Sequence, residues 1–478
     1  IGRTCDCATL CMAPAIPLQD RFPMSGTSPA DPSNSPASAA AVEGKYRPLR
    51  IWPAVLLLVV LWSLRIAPRF AEDPPMAVLW TQFMGPAACA ALIVLWWLLF
   101  SRAHWKERLL GAVGLAGIGV TSALLLDKTL QDIGMVIFVA PWGITAFAVA
   151  LIVFGRHLSS RRTWLALLAA TVGFGYWDLV RADEFRGNFQ TVHSWRWQPT
   201  AEERFLKSLA AQAPVERDGA VAAGPLAAPE WPAFRGPDRT GVQPGIVLAA
   251  DWQAAPPQEL WRMKVGPGWS SFSVAGDRLF TQEQRGEEEV VVCYDAQTGQ
   301  QLWVHASDSR FWETIGGAGP RATPTLDDGF LYALGANGLL HCLDPQSGEE
   351  VWRQDIRIDA ERKPPTWGFS SSPLVTDGVV IVHAGGEGEK GILAYDRETG
   401  ELRWGAPAGD HSYSSPQLAE ILGKTCVLML TNAGLTVVDP SDGALVGEHA
   451  WKNDFYRVVQ PLVIDESSVL LGTAMGGG

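Results

Sequence analysis

Two hydrophobic rhythms divide the chain. Between residues 51 and 180 the apolar positions come in long runs, Ile51–Leu64, Met76–Phe100, Leu109–Leu126, Ile133–Gly155 and Thr163–Trp177, separated by short charged connectors. A helix needs about 20 mainly apolar residues to cross a bilayer. The second, third and fourth runs meet or approach that length. The first and fifth are short and need flanking groups such as Arg65 or Asp178 to snorkel. The pattern predicts an α-helical transmembrane domain over 51–180 of about five spans, with about four as the alternative. From residue 231 onward the apolar runs shrink to strand length and alternate with turn chemistry. One unit reads Ala322–Leu326, Phe330–Gly335, Leu339–Asp344 and Glu349–Gln354, joined by Asp327-Asp328-Gly329, Asn337-Gly338 and Pro345-Gln346-Ser347-Gly348. Asp-Gly and Asn-Gly between β-rich runs are hairpin signals, because both tolerate the positive φ of primed turns.

The second rhythm is a repeat. YDAQTGQQLW (Tyr294–Trp303), LDPQSGEEVW (Leu343–Trp352), YDRETGELRW (Tyr395–Trp404) and the weaker VDPSDGALVG (Val438–Gly447) place Asp at 295, 344, 396 and 439, spacings of 49, 52 and 43 residues. Four short antiparallel strands in such a period make one propeller blade. The Asp ending the third strand is suited to accept hydrogen bonds from turn amides. Gly299, Gly348 and Gly400 supply the left-handed residue that closes the turn. Trp303, Trp352 and Trp404 then offer large flat surfaces for packing between neighbouring blades. The expected fold class is an all-β propeller preceded by an α-helical transmembrane domain, and these residues are read as a structural docking motif.

The phrase D-x-x-T/S-G-x-x-x-W resembles the tryptophan-docking motif of the PQQ-type propeller repeat, found in quinoprotein dehydrogenases and in the propeller lipoprotein of outer-membrane assembly. WPAFRGPDRTG (Trp231–Gly241), ELWRMKV (Glu259–Val265), RATPTL and WGFSSSPLV are similar to phrases of the PQQ-like β-propeller repeat proteins abundant in planctomycete-type bacteria. The resemblance covers residues 231–478 and implies about seven or eight blades in a whole ring. Glu259–Val265 reads as an orphan fourth strand that would complete the last blade. Four units follow, and a fifth begins at Val459. The chain is therefore expected to be a fragment holding about four and a half blades and lacking roughly two to four more.

Charge orients the helical domain. Lys45, Arg47 and Arg50 precede the first run; Arg102, Lys106 and Arg108 lie between the second and third; Arg156, Arg161 and Arg162 lie between the fourth and fifth. The alternate connectors are offset by acids, with Arg65 and Arg69 against Glu72 and Asp73, then Lys128 against Asp127 and Asp132. Positive-inside logic puts the N-terminus in the cytoplasm, and an odd number of spans puts the propeller in the periplasm of a multi-pass inner-membrane protein. Residues 1–50 read as a disordered cytoplasmic tail, rich in Ser, Pro and Ala over 25–44, with Met24 as a plausible start. Residues 181–230 read as a linker with a short helix near Thr200–Ala213. The net charge of −12 and the lack of a basic run argue against nucleic acid as a partner.

Cysteine usage and layout frame the chemistry. Cys5, Cys7 and Cys11 lie upstream of Met24, while Cys293 and Cys342 take equivalent third-strand places and read as buried small apolar residues. No adjacent Cys-Cys pair occurs, whereas quinoprotein alcohol dehydrogenases carry one against PQQ. Five spans followed by a periplasmic propeller resemble membrane-bound glucose dehydrogenase. That resemblance implies PQQ with calcium on the axis, an Asp as general base and ubiquinone as electron acceptor. The calcium ligands and that Asp cannot be matched residue by residue, so no catalytic or metal residue is assigned. The first strands open at Trp269-Ser270, Pro320-Arg321, Trp367-Gly368, His411-Ser412-Tyr413 and Tyr456-Arg457. Trp269, Arg321, Trp367, His411 and Tyr413 are the candidate ligand-facing residues of a polar-aromatic mouth. His411, beside Asp410, is expected to titrate near neutrality. The preferred reading is a membrane-anchored, non-catalytic propeller that binds or scaffolds a periplasmic protein or small molecule beside the lipid bilayer. The alternative is a PQQ-dependent sugar or alcohol dehydrogenase passing electrons to ubiquinone.

Overall fold

The computed structural model describes residues 48–70, 76–155, 161–185, 191–211, 225–452 and 456–473. The N-terminal tail, with Cys5, Cys7, Cys11 and Met24, lies outside them. Each of the five apolar runs is helical: α1 Trp52–Ile66, α2 Met76–Leu95, α3 Trp105–Leu125, α4 Ala140–Phe154 and α5 Arg162–Asp178. α2 is extended by a π-turn over Trp96–Phe100, and α4 is preceded by another over Met135–Val139. Among the described residues, three helices, Trp80–Phe100, Trp105–Leu125 and Met135–Phe154, are long and apolar enough to cross a membrane. α3 and α5 are pinned at both ends. Arg162 donates to Glu107 at 2.6 Å, and Ser122 donates to Asp178 at 2.6 Å. Their outer faces stay apolar, with Val113, Leu124, Leu168 and Val172 exposed.

The stretch read as a linker begins instead with a hairpin, β1 Val180–Phe185 and β2 Thr191–Trp195. Tertiary anchoring explains it: the Thr129 hydroxyl accepts the Ala182 amide at 3.0 Å, and Arg181 donates to the Gln198 carbonyl at 2.8 Å. α6, Ala201–Ala210, follows. Thr200 and Glu203 cap it reciprocally, so two amides that the helix leaves open are satisfied.

The C-terminal region is rich in β-sheet. Four antiparallel four-stranded meanders, called blades here, follow one another. Blade 1 is β3 Ser273–Ala275, β4 Arg278–Arg285, β5 Glu288–Asp295 and β6 Gln301–Asp308. A small hairpin, β7 Trp312–Glu313 and β8 Gly317–Ala318, separates it from blade 2. Blade 2 is β9 Thr325–Asp327, β10 Phe330–Leu334, β11 Leu339–Leu343 and β12 Glu350–Asp355. Blade 3 is β13 Leu374–Thr376, β14 Val379–His383, β15 Ile392–Asp396 and β16 Leu402–Ala406. Blade 4 is β17 Gln417–Ile421, β18 Lys424–Thr431, β19 Gly434–Val438 and β20 Leu445–Ala450. A two-stranded sheet, β21 Leu462–Asp465 and β22 Ser468–Leu470, begins a fifth unit. In every blade the third and fourth strands slip register just before the docking turn, at Cys293/Tyr294, Cys342/Leu343, Ala394/Tyr395 and Val437/Val438.

The recurring phrase is a relay between blades. In blade 1 the Asp295 carboxylate accepts the Gln297 and Thr298 amides at 3.0 and 2.7 Å; Asp344 and Asp396 cap their own turns in the same way. Gly299, Gly348 and Gly400 sit at φ of 71°, 75° and 74°, which an L side chain adopts at a cost. The indole of one blade then lies on the turn of the next. Trp303 Nε1 donates to Pro345 O at 3.1 Å, and its ring covers Gly348 so closely that a Cβ there would come within 2.5 Å. Trp352 does the same to the Arg397 carbonyl and Gly400, and Trp404 to Pro440 and Gly443. Glu259–Val265 forms no strand, yet its Trp261 docks on Ala296 and Gly299 of blade 1 by the same rule. Each indole closes an apolar cluster, Trp352 packing with Tyr332, Leu340, Val380 and Tyr395 across blades 2 and 3.

Candidate functional site

Two layers of structure build the inner ends of the first strands. The deeper one is a ladder of hydroxyls. The Ser271 amide donates to Thr323 Oγ1, the Thr323 amide to Ser372 Oγ and the Ser372 amide to Ser415 Oγ, at 3.0, 3.0 and 2.9 Å. A Ser or Thr just before the strand therefore satisfies the amide of the preceding blade, which a buried backbone donor requires.

Across these strand ends runs the lead-in segment. Trp231 exchanges backbone hydrogen bonds with Val274 of blade 1, and the Pro232 carbonyl accepts the Leu326 amide of blade 2. Arg239 donates to the Pro373 and Ser372 carbonyls of blade 3 at 2.7 and 2.9 Å, and Gln417 of blade 4 donates to the Asp238 carbonyl at 3.0 Å. The compact turn Arg235–Gly241, with Arg235, Gly236, Arg239 and Gly241 all at positive φ, aims that guanidinium inward. Burial pulls the Arg239 pKa down to about 9. Sequence reasoning did not single out Arg239. The signal available was the second Arg of the RGPDRTG phrase, but its partners are 133 and 134 residues away.

Above the ladder the candidate residues gather in part. The Trp367 and Tyr413 rings stack at 5.0 Å between centroids, and Tyr456 lies 4.4 Å from Trp367. His411 meets Tyr413 edge-on at 4.8 Å and Tyr456 at 5.3 Å. The Tyr413 hydroxyl accepts the Trp367 amide at 3.2 Å, locking the two blades' openings together. Trp367 and His411 are half-buried, and Tyr413 is buried. Burial lowers the His411 pKa below its ordinary value and outweighs the opposing pull of Asp410. Asp410 is itself held by the Asn432 amide group at 2.7 Å, and the surroundings of His411 are aromatic.

Arg321 does not face outward. Its side chain is 7% exposed, paired with Glu313 at 3.3 Å, laid over the Phe311 ring and hydrogen-bonded to the Gly317 and Trp367 carbonyls. It positions Trp367. Trp269 is 66% exposed, and its indole donates to Gly316 O at 2.7 Å. Among the described residues it makes no ring pair with Trp367, His411, Tyr413 or Tyr456. A separate cavity of about 1530 Å³ lies among the helices, walled by Trp62, Phe138, Trp142 and Trp177. It follows the apolar helix exterior and is remote in chain and chemistry from this mouth.

The family profile described as outer membrane protein assembly factor BamB, of the PQQ type, matches residues 251–322 and 287–476. The C-terminal region carries PQQ-like repeats of the BamB type. BamB of Burkholderia pseudomallei (strain K96243) is 30% identical over 151 residues, 31% of this chain and 33% of that protein. The quinohemoprotein alcohol dehydrogenase ADH-IIG of Pseudomonas putida is 30% identical over 125 residues, 25% of this chain and 17% of that protein. The chain thus spans a third or less of the length of these curated relatives. Among solved structures, BamB from Moraxella catarrhalis is similar at 16% identity over 46% of this chain and 65% of that one, with a TM-score of 0.32. The PQQ-like repeats accordingly have relatives in both an outer membrane protein assembly factor and an alcohol dehydrogenase, and the likeness does not choose between them.

Proposed function

We infer that the protein is a multi-pass inner-membrane protein whose PQQ-like propeller binds a periplasmic ligand, protein or small molecule, through its polar-aromatic mouth, without catalysis. The observation that carries the reading is the mouth itself: Trp367, His411, Tyr413 and Tyr456 from consecutive units form one ring cluster, fixed from behind by Arg321. Rigid aromatic surface next to polar groups is what ligand and peptide sites present. Membrane placement is supported by the three spans and the apolar outer faces of α3 and α5. Orientation rests on the basic connectors.

The described residues do not fit PQQ held by calcium. Calcium takes six to eight oxygen ligands, carboxylates prominent among them. At the strand ends the Ser372 and Ser415 hydroxyls accept neighbouring amides, and the charged group that reaches the Ser372 and Pro373 carbonyls is a guanidinium, Arg239. No step is derived through that cofactor.

The test uses full-length protein in native membranes with a photo-crosslinking amino acid at position 367. Discrete adducts are expected there and not at the exposed outer-strand position 351. Adducts equal at both positions refute a specific mouth. Dye-linked sugar or alcohol oxidation after reconstitution with PQQ and calcium would replace this reading with the dehydrogenase.

A further inference from the structure

Three side chains that the mouth does not use converge on the outer side of the junction between blades 1 and 2. His305 lies on β6, His341 on β11 and Glu350 on β12. Their ligand atoms all lie within 4.8 Å of one another. Glu350 Oε2 is 2.8 Å from His341 Nδ1 and 3.4 Å from His305 Nε2. The two rings meet edge-on at 5.1 Å.

Each imidazole turns one nitrogen toward the carboxylate, and on His341 the other is already held. His341 Nε2 bonds Ser307 Oγ at 3.1 Å. Outer partners of this kind fix tautomer and ring orientation in metal-ligating histidines. Tetrahedral zinc with ligand bonds of about 2.0–2.2 Å places its ligand atoms about 3.3 Å apart. The His305–Glu350 separation matches that spacing. The His341–Glu350 pair must open by about half an ångström, and the two imidazole nitrogens, within 4.8 Å of each other, must close by at most about 1.5 Å, shifts within reach of side-chain rotation. His341 is buried, while the Glu350 side chain is 30% exposed and the His305 side chain 17%, so an ion can enter from solvent. The nearby Arg353 is exposed and pairs in register with His341.

The geometry points to a site for a divalent transition ion of the zinc class, with two imidazoles and one carboxylate as ligands and water in the fourth place. Two imidazoles exclude calcium and magnesium as preferred occupants. On binding, the His341 Nδ1–Glu350 hydrogen bond is replaced by metal bonds, and the ring proton moves to Nε2, which then donates to Ser307 Oγ. The ion ties β6 of blade 1 to β12 of blade 2, beside the turn where Trp303 docks on Gly348. Its role is that of a structural staple, independent of the mouth and of what the mouth binds.

The test takes untagged full-length protein in detergent, stripped with chelator, with Cys5, Cys7 and Cys11 changed to Ser so that only the buried Cys89, Cys293, Cys342 and Cys426 remain. Titration with Co²⁺, followed by its visible absorption, is expected to saturate at one equivalent, to be reversed by Zn²⁺ and to show no thiolate charge-transfer band. Glu350→Gln and His305→Asn, both at partly exposed positions, are expected to weaken binding at least tenfold while leaving the unfolding midpoint of the stripped protein near wild type. Zn²⁺ is expected to raise the wild-type midpoint and not that of either variant. Sub-stoichiometric Co²⁺ binding by the wild type, or unchanged binding in either variant, overturns the assignment.

Discussion

Replacing Gly348 by alanine tests whether the blades are joined by indole docking. Gly348 and Gly378 both sit at φ of 75°. A Cβ at 378, in the hairpin between β13 and β14, meets nothing within 4 Å, whereas at 348 it comes within 2.5 Å of Trp303 Cε3. Alanine at 378 therefore carries only the left-handed backbone cost, about 1–2 kcal/mol. Alanine at 348 carries the same cost and also displaces the indole. Carbon atoms rest at about 3.5–4.0 Å, so the ring must withdraw by roughly 1 Å. That movement strains the 3.1 Å bond from Trp303 to Pro345 and opens the cluster with Phe280, Leu331 and Leu343. Overpacking of this kind costs about 1–3 kcal/mol more, a total of about 2–5 kcal/mol. The assay is urea unfolding of the full chain in detergent, comparing the two variants. A Trp303→Ala background supplies the control: with the indole gone, the 348 penalty should fall to that at 378, a coupling of about 1–3 kcal/mol. Equal losses at 348 and 378, or strict additivity with Trp303→Ala, would refute the docking account.

Two further outcomes follow from the same region. Glu289 is buried, and its carboxyl is raised to about 7 by burial despite the Ala336 amide and the nearby Arg321. Its folded pKa thus exceeds the unfolded value of about 4.3, so its contribution is fully present below that pH and is lost as pH rises toward about 7. Urea midpoints of wild type and Glu289→Gln should converge near pH 4.5 and separate in favour of the variant by pH 8; a pH-independent difference would count against it. Ser372→Ala removes the acceptor of the buried Thr323 amide and should cost about 1–3 kcal/mol in chemical unfolding, with Ser372→Thr restoring most of it.

Legibility in the sequence tracked the distance between partners. The turn chemistry was readable because it is local: Asp295 caps amides two and three residues on, and Gly299 closes the same turn. The helices were readable because length and apolarity are properties of one segment. What Trp303 touches was readable only as a class, since spacing shows an indole on a fourth strand but not that its acceptor is Pro345. The hairpin β1–β2 was missed because Thr129, which anchors it, lies 53 residues upstream. Arg321 was read as facing a ligand because an Arg at a strand opening looks solvated in one dimension; Glu313, Phe311 and the Trp367 carbonyl draw it inward. His305, His341 and Glu350 come from three strands and share no short spacing, so no motif could have joined them.

The lead-in segment has a consequence for time as well as shape. The indole relay joins residues 35 to 45 apart, while Arg239 and Asp238 meet partners 133, 134 and 179 residues downstream. Closing a longer loop costs more entropy, and distant contacts form late. Neighbouring blades are therefore expected to join early through their tryptophans, and the contacts of Asp238 and Arg239 with blades 3 and 4 to form last. Interactions that form after the transition state slow unfolding without hastening folding. The buried guanidinium of Arg239 thus acts as a latch on the lifetime of the folded region, setting how long the blades stay closed once a slower, longer-range step has closed them.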